Sequence, residues 1–272
     1  MAHRERAKPR LHKLDSLSPE SLCMTFTDDA VAVTGAGSGM GRATAELFAE
    51  RGANVVVVDI DGEAAAETVD RIEADGGEAI SVIADVSDAD DVQGFVEKTV
   101  DTYGSIDVLH NNAGIPQKST PVEDVEEATW DQVQDVNLKS AFLGAKYAVP
   151  QMKEQGEGVI LNTASTAGIR PRTGLSAYAA SKGGMITLTK QLAYELAEDG
   201  IRVNAICPVA TDTSMLPEFA AGDLSVEGMA DTIPLGRLAE PGDIASAAAF
   251  LASDEASMVT GTALEVDGGR DL

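Results

Sequence analysis

The stretch "VAVTGAGSGMGRATAELFAERG", residues 31–52, reads as an apolar strand, a glycine-rich turn and a helix in immediate succession. Its glycines fall as Gly-x-x-x-Gly-x-Gly at Gly35, Gly39 and Gly41. That is not the Gly-x-Gly-x-x-Gly spacing of the dinucleotide fingerprint, but the physics is similar. Absent side chains permit a tight turn and let amides at the helix N-terminus approach a pyrophosphate. A glycine cluster alone is as readily a plain turn. The next apolar run, "NVVVVD" (54–59), tips the balance because it closes on Asp59. A carboxylate there can accept hydrogen bonds from the adenosine ribose hydroxyls and repels a 2′-phosphate. The segment therefore reads as half of a dinucleotide site with NAD favoured over NADP, Arg42 being the one nearby base that pulls the other way. Ser38 and Met40 in the turn, and Ile60 beyond Asp59, are assigned to the same site.

Downstream the alternation continues. Strands are expected at 79–85, 106–114, 158–165, 201–208 and 261–269, in addition to 30–34 and 54–59. Helical patterns run to about Gly52, to "DGG" (75–77), to about Tyr103, over roughly 125–154 and over about 176–199. Short β-branched runs separated by longer helical patterns mark a parallel sheet covered on both faces. No composition break or linker divides them. The fold class is α/β: a single doubly wound Rossmann domain, residues 26–272, with a seven-stranded parallel sheet and helices on both faces. Residues 1–25 are expected to be a disordered extension. The segment 209–240, rich in Met, Pro, Gly and acids, breaks the alternation and is the expected substrate-side loop.

Composition narrows the function. With 45 acids against 20 bases the net charge is −25. The excess deepens outside residues 1–23, which hold five Lys/Arg and three Asp/Glu. Such a surface repels phosphates, so nucleic-acid partners are excluded. Self-repulsion of this size destabilises a compact chain unless salt screens it, which favours a high-salt cytoplasm. Two cysteines, Cys23 and Cys207, build no disulfide framework, and His3, His12 and His110 fall in no metal-ligand spacing, so no metal is expected. No apolar run suits a bilayer and no h-region follows the basic start, so a soluble cytoplasmic protein is expected.

One further stretch carries chemistry. "SAYAASKGGM" (176–185) sets Tyr178 and Lys182 one helical turn apart among small residues. With Thr34-Gly35-x-x-x-Gly39-x-Gly41, Asn111-Asn112-Ala113-Gly114, Asn137 and Ser165 in order, it resembles the classical short-chain dehydrogenases/reductases over residues 26–272.

The resemblance implies roles. Tyr178 is the general acid/base and Lys182 both lowers its pKa and holds the nicotinamide ribose; an unperturbed phenol titrates near ~10, and a neighbouring ammonium favours phenolate. Ser165 hydrogen-bonds the substrate oxygen and Asn137 holds a relay water. Asp85 and Val86 hold the adenine, and Asn112, Ala113 and Gly114 line the cofactor. Pro208, Thr211 and Thr213 lie beside the nicotinamide amide, although Val209 stands where glycine is usual and Thr211 where Val or Ile is usual. All four of Tyr, Lys, Ser and Asn are present, which argues for an active NAD-dependent dehydrogenase over a non-catalytic redox sensor.

The substrate is less legible. Arg170 and Arg172 lie between Ser165 and Tyr178, and a guanidinium suits a carboxylate. Their alternative is ion pairing with the many acids. With the ending "EVDGGRDL", the pattern resembles sugar or sugar-acid dehydrogenases of the family, and a 3-oxoacyl-thioester reductase is the runner-up. The helix 176–199 and the C-terminal end resemble the family's tetramer interfaces, so a homotetramer is expected, with a tail that could reach a neighbouring subunit's site.

Overall fold

In the computed structural model, residues 25–219 and 226–272 are described. The expected extension therefore lies outside the described residues, apart from Thr25. Seven strands form one parallel sheet: β1 (Ala30–Thr34), β2 (Asn54–Asp59), β3 (Glu78–Ile83), β4 (Val108–Asn111), β5 (Gly158–Thr163), β6 (Ile201–Pro208) and β7 (Ala263–Val266). Their spatial order is β3-β2-β1-β4-β5-β6-β7. The register sets Val31 beside Val55 on one side and Val108 on the other.

Side-chain alternation divides the core into two layers. Val31, Val33, Val55, Val57 and Leu161 pack on one face with Phe48 and Ile244. Ala32, Val56, Val58, Leu109 and Ile160 pack on the other with Phe95, Leu143 and Met152. The first face is covered by α1 (Gly39–Glu50), α2 (Gly62–Ala74) and a helix near the C-terminus; the second by α3 (Ala89–Tyr103) and a long helical unit.

That unit differs from a continuous helix over 125–154. It consists of α4 (Glu127–Gln134), a π-helical turn (Asp135–Lys139) and α5 (Ser140–Gln155). The π turn contains Asn137, and such turns cluster at functional sites. α6 runs over Ser176–Leu196. The segment 209–240 is not featureless: it holds a 3₁₀ turn (Leu216–Phe219) and α7 (Val226–Ala230).

The sequence reading names no helix over 241–252, yet α8 (Pro241–Ala252) is there, packed against α1. Its start has a readable signal: Pro241 occupies the first position, and Asp243 accepts from the Glu240 amide at 2.7 Å. Its alanines are apolar nearly all round, so no amphipathic period marks it.

Candidate active site

The switch point lies between β1 and β4, where the chain order reverses and a crevice opens at the strands' C-terminal ends. Gly35 and Gly39 there have φ of +63° and +52°, a left-handed geometry that favours glycine. A Cβ on Gly41 would lie 2.1 Å from the Gly35 carbonyl oxygen and 2.6 Å from Asn112 Nδ2. The turn is closed by packing as well as by torsion.

The N-terminus of α1 is open. Ser38 makes no side-chain cap, and no acid lies in the first turn. By contrast Asp61 and Asp88 cap α2 and α3 with their carboxylates. Uncapped amides behind a glycine turn fit an anion such as a pyrophosphate.

Asp59 Oδ2 accepts from the Gly37 amide at 2.8 Å, and Oδ1 from the Asp61 amide at 3.0 Å. Gly37 was not singled out in the sequence, although a Cβ there would meet Asp59 Oδ2 at 2.9 Å. Arg42 is occupied: its Nη1 lies 3.1 Å from Glu67 and its Nε donates to Thr68 at 3.1 Å. It also donates to the Gly37 carbonyl. Ile60 is exposed beside Asp59, and Val86 is buried after Asp85, which accepts from the Ser87 amide and hydroxyl.

A cavity of about 420 Å³ continues from this turn. Met40, Asn112, Gly114, Ser165, Tyr178, Lys182, Pro208, Thr211 and Thr213 all line it. Gly39 approaches Thr213, a Cβ there falling 3.3 Å from Thr213 Cγ2, and Ala113 packs on Gly35 in the same way at 2.8 Å. Asn137 is fully buried just behind, its Oδ1 accepting from the Ile115 amide at 2.7 Å and its Nδ2 donating to the Ile115 carbonyl at 3.0 Å. Both ends of its amide are thereby committed to the loop after β4.

Small residues around the Tyr–Lys pair have a steric cause. A Cβ on Gly168 would lie 2.6 Å from the Lys182 carbonyl carbon, so the turn after β5 rests directly on the α6 backbone. Lys182 Nζ donates to the Thr163 carbonyl at 2.7 Å and sits 5.8 Å from the Tyr178 ring centre. Gln117, missed in the sequence, accepts from the Tyr178 amide at 2.9 Å and fixes the start of α6. Its isolated position in a loop gave no periodic signal.

The electrostatics correct one expectation. Tyr178 is half-buried and lines the cavity, and burial of its hydroxyl pushes its pKa up to about 12; a hydrogen bond with Ser165 opposes this. Burial pulls the Lys182 ammonium down to about 8. Burial thus outweighs the neighbouring ammonium, whose Nζ faces the Thr163 carbonyl, and the phenol sits above its ordinary range.

The two arginines also need correcting. Arg170 pairs with Glu265 at 2.9 Å and does not line the cavity. Arg172 lines it, but its Nη2 holds both oxygens of buried Asp271, at 2.9 and 3.0 Å. The C-terminal tail reaches its own chain's site, for Arg270 lines the same cavity.

A family model described as enoyl-(acyl carrier protein) reductase matches residues 35–271. The chain belongs to the short-chain dehydrogenase/reductase family. It is an oxidoreductase of a family that works with NAD(H). The 4-formylbenzenesulfonate dehydrogenase of Comamonas testosteroni is 41% identical over 252 residues, covering 92% of this chain and 100% of that protein. The cyclohexanol dehydrogenase of an Acinetobacter species is 41% identical over 243 residues, with 89% and 95% covered. Among solved structures, the 3-ketoacyl-(acyl-carrier-protein) reductase of Brucella melitensis complexed with NADH superposes with TM-score 0.86 at 43% identity, covering 91% of this chain and 100% of that one.

Proposed function

We propose that this chain is an NAD-dependent dehydrogenase that interconverts a secondary alcohol and a ketone on a largely hydrocarbon body. The observation that carries this reading is the convergence of Ser165, Tyr178 and Lys182 on one cavity that opens onto the glycine turn. NAD is favoured over NADP by Asp59 at the end of β2 and by the engagement of Arg42 with Glu67. The nicotinamide cofactor, when bound, would accept the hydride as NAD and supply it as NADH.

The chain's own residues handle the proton. Ser165 and Tyr178 both present hydroxyls to the cavity, so a carbonyl oxygen placed between them receives two hydrogen bonds. Tyr178 Oη donates the proton in reduction and takes it back in oxidation. Lys182, held by Thr163, presents a cation beneath the phenol, and Asn137 fixes the adjoining loop. The Val209 and Thr211 departures leave Pro208, Thr211 and Thr213 on the cavity wall beside the proposed nicotinamide position.

The sugar-acid reading needs side chains that match several hydroxyls. The segment 209–240 instead brings Met215, Leu216, Phe219 and Met229 to the cavity, and Leu175, just before α6, joins them, with the Phe219 ring edge-on to Tyr178 at 5.1 Å. This apolar wall favours a ring or chain of mostly carbon over a polyol. A 3-oxoacyl-thioester reductase remains the second reading, favoured by the likeness to the Brucella enzyme.

No helix among the described residues is long and apolar enough to cross a membrane. We infer a soluble homotetramer without nucleic-acid partners, supported by the acidic composition and by exposed Phe142, Tyr194 and Met258. Light scattering of the purified protein checks its mass.

The deciding experiment is Tyr178→Phe, assayed for NADH formation from cyclohexanol and for NADH binding. Turnover should fall at least ~100-fold, the scale of general acid–base catalysis, while NADH still binds. Unimpaired turnover would remove the mechanism. Turnover of neither cyclohexanol, 4-hydroxycyclohexanecarboxylate nor an acetoacetyl thioester by the wild-type protein, with NADH still bound, is the redox-sensor outcome.

A further inference from the structure

The cavity wall carries three cations, Lys182, Arg172 and Arg270, and the first two are held by the Thr163 carbonyl and by Asp271. Arg270 is half-buried on the cavity wall. Its side chain has no hydrogen bond or ion pair among the described residues; Arg51, which does not line the cavity, shares that state, whereas Arg42, Arg71, Arg170, Arg172 and Arg237 each hold a carboxylate. Arg202 is engaged by backbone carbonyls.

The tail is built to deliver this side chain. After β7, Asp267 accepts from the amides of Gly269 and Asp271, both at 2.9 Å, and folds the turn. Gly268, with φ of +61°, lies where a Cβ would stand 2.5 Å from Ile233 Cγ2. One residue beyond Arg270, Asp271 is buried and clamped by Arg172. Arg270 is thus bracketed by two fixed acids that act on it through space but form no ion pair with it. Asp267 has both oxygens engaged by amides, and Asp271 has both on Arg172. The Arg172–Asp271 pair, made through Nη2 alone, cancels its own charge, while Nη1 donates to the Pro171 carbonyl.

We propose that Arg270 reads an anionic group on the substrate. The substrate class is then an alcohol or ketone with an apolar body and a carboxylate or sulfonate. Arg172 and Asp271 are positioning residues that hold the tail. This rests on the dehydrogenase reading above, deepens it in substrate class, and makes the C-terminal tail a specificity element of its own subunit's site.

The test is isothermal titration of the NADH-loaded protein with cyclohexanecarboxylate and with cyclohexanecarboxamide, a neutral isostere. Charged hydrogen bonds of this kind correspond to roughly 10–100-fold in affinity. The carboxylate should bind at least ~10-fold tighter than the carboxamide in the wild-type protein. That ratio should fall to near one in Arg270→Gln and in Arg270→Met, while Arg270→Lys keeps part of it. A carboxylate that binds no tighter than the carboxamide, including the absence of binding by either, overturns the proposal, as does a ratio that survives in both uncharged variants. The same titration on Tyr178→Phe separates the two readings. A persistent ratio there supports anion recognition whatever that variant's turnover shows, and unimpaired turnover there counts only against the proton mechanism.

Discussion

Replacing Lys182 by methionine should flatten the alkaline pH dependence of folding stability. Lys182 is only 3% exposed, and burial lowers its pKa from 10.5 to about 8. Below pH 8 it is charged in both folded and unfolded chains, and the burial penalty is carried in full. Between pH 8 and 10.5 the folded chain sheds the proton while the unfolded chain keeps it. The unfolded state then binds more protons, so stability rises with pH. The gap is worth about 3 kcal/mol in total, of which about 2 kcal/mol is gained from pH 8 to pH 10. Tyr178 does not interfere in that window: its phenol is protonated in both states below its ordinary 10, and burial moves it further up, to about 12. Methionine keeps the apolar stem but leaves the Thr163 carbonyl without its donor, a cost of about 1–3 kcal/mol that does not vary with pH. Urea unfolding of cofactor-free protein, followed through the single tryptophan, Trp130, gives both curves. The difference between wild type and variant should grow by about 2 kcal/mol between pH 8 and pH 10. Parallel curves would refute the claim that a buried ammonium sits beneath the phenol.

Three other outcomes follow from the same geometry. Asp59→Ala removes the carboxylate opposed to a 2′-phosphate, so the NADP-to-NAD ratio of kcat/KM should rise on the order of 10-fold; an unchanged ratio would free Asp59 of that role. Gly41→Ala forces a methyl against the Gly35 carbonyl oxygen and Asn112. It should cost about 1–3 kcal/mol by urea unfolding and weaken NADH binding as the turn opens; wild-type values in both assays would show that the turn is not tightly closed. With a net charge of −25, the melting temperature should climb from low to molar KCl; a melting temperature indifferent to KCl would sink the high-salt expectation.

The nucleotide half of the molecule was legible in the sequence because its signals are local. The run 30–34, the glycine turn and the run 54–59 match β1, the turn and β2 residue for residue. Backbone torsion and strand ends are dictated within a few positions, so short windows suffice. Strand tails read less well: β3, β4, β5 and β7 all stop short of the expected bounds, where the chain leaves the sheet through Ala84-Asp85, Asn112-Ala113-Gly114, Ala164-Ser165 and Asp267-Gly268-Gly269. Asn137 was found through resemblance, but the π turn that holds it depends on contacts with the loop after β4. Arg170 and Arg172 show the limit most clearly. They are two positions apart in one short segment, yet Arg170 turns to Glu265 and Arg172 to Asp271, acids about a hundred residues away that only the finished sheet brings near. The same long-range return of the tail carries Arg270 into the cavity, and no local pattern announces it.

Why the glycine turn and the Tyr–Lys pair, far apart in sequence, hold a fixed separation can be traced through three strand ends. Strands β1, β4 and β5 are neighbours in the sheet. Asn112, just past β4, donates to the Thr34 carbonyl at 3.0 Å and so grips the entry to the turn. Its Oδ1 accepts from the Thr163 hydroxyl at 3.2 Å, at the end of β5. Because that hydroxyl donates to Asn112, it accepts from His110 Nε2 at 2.8 Å. His110 Nδ1 is left a bare, buried acceptor, and full burial lowers the imidazole pKa to about 3, keeping it neutral. The Thr163 carbonyl then receives Lys182. One threonine thus joins the nucleotide turn to the ammonium through side chain and backbone together. A buried polar chain of this kind adds less to stability than an equal volume of hydrocarbon, but its directional bonds admit a single arrangement. At this point in the sheet the gain is geometric: cofactor cradle and proton donor are set by the same residue, so neither can shift without the other.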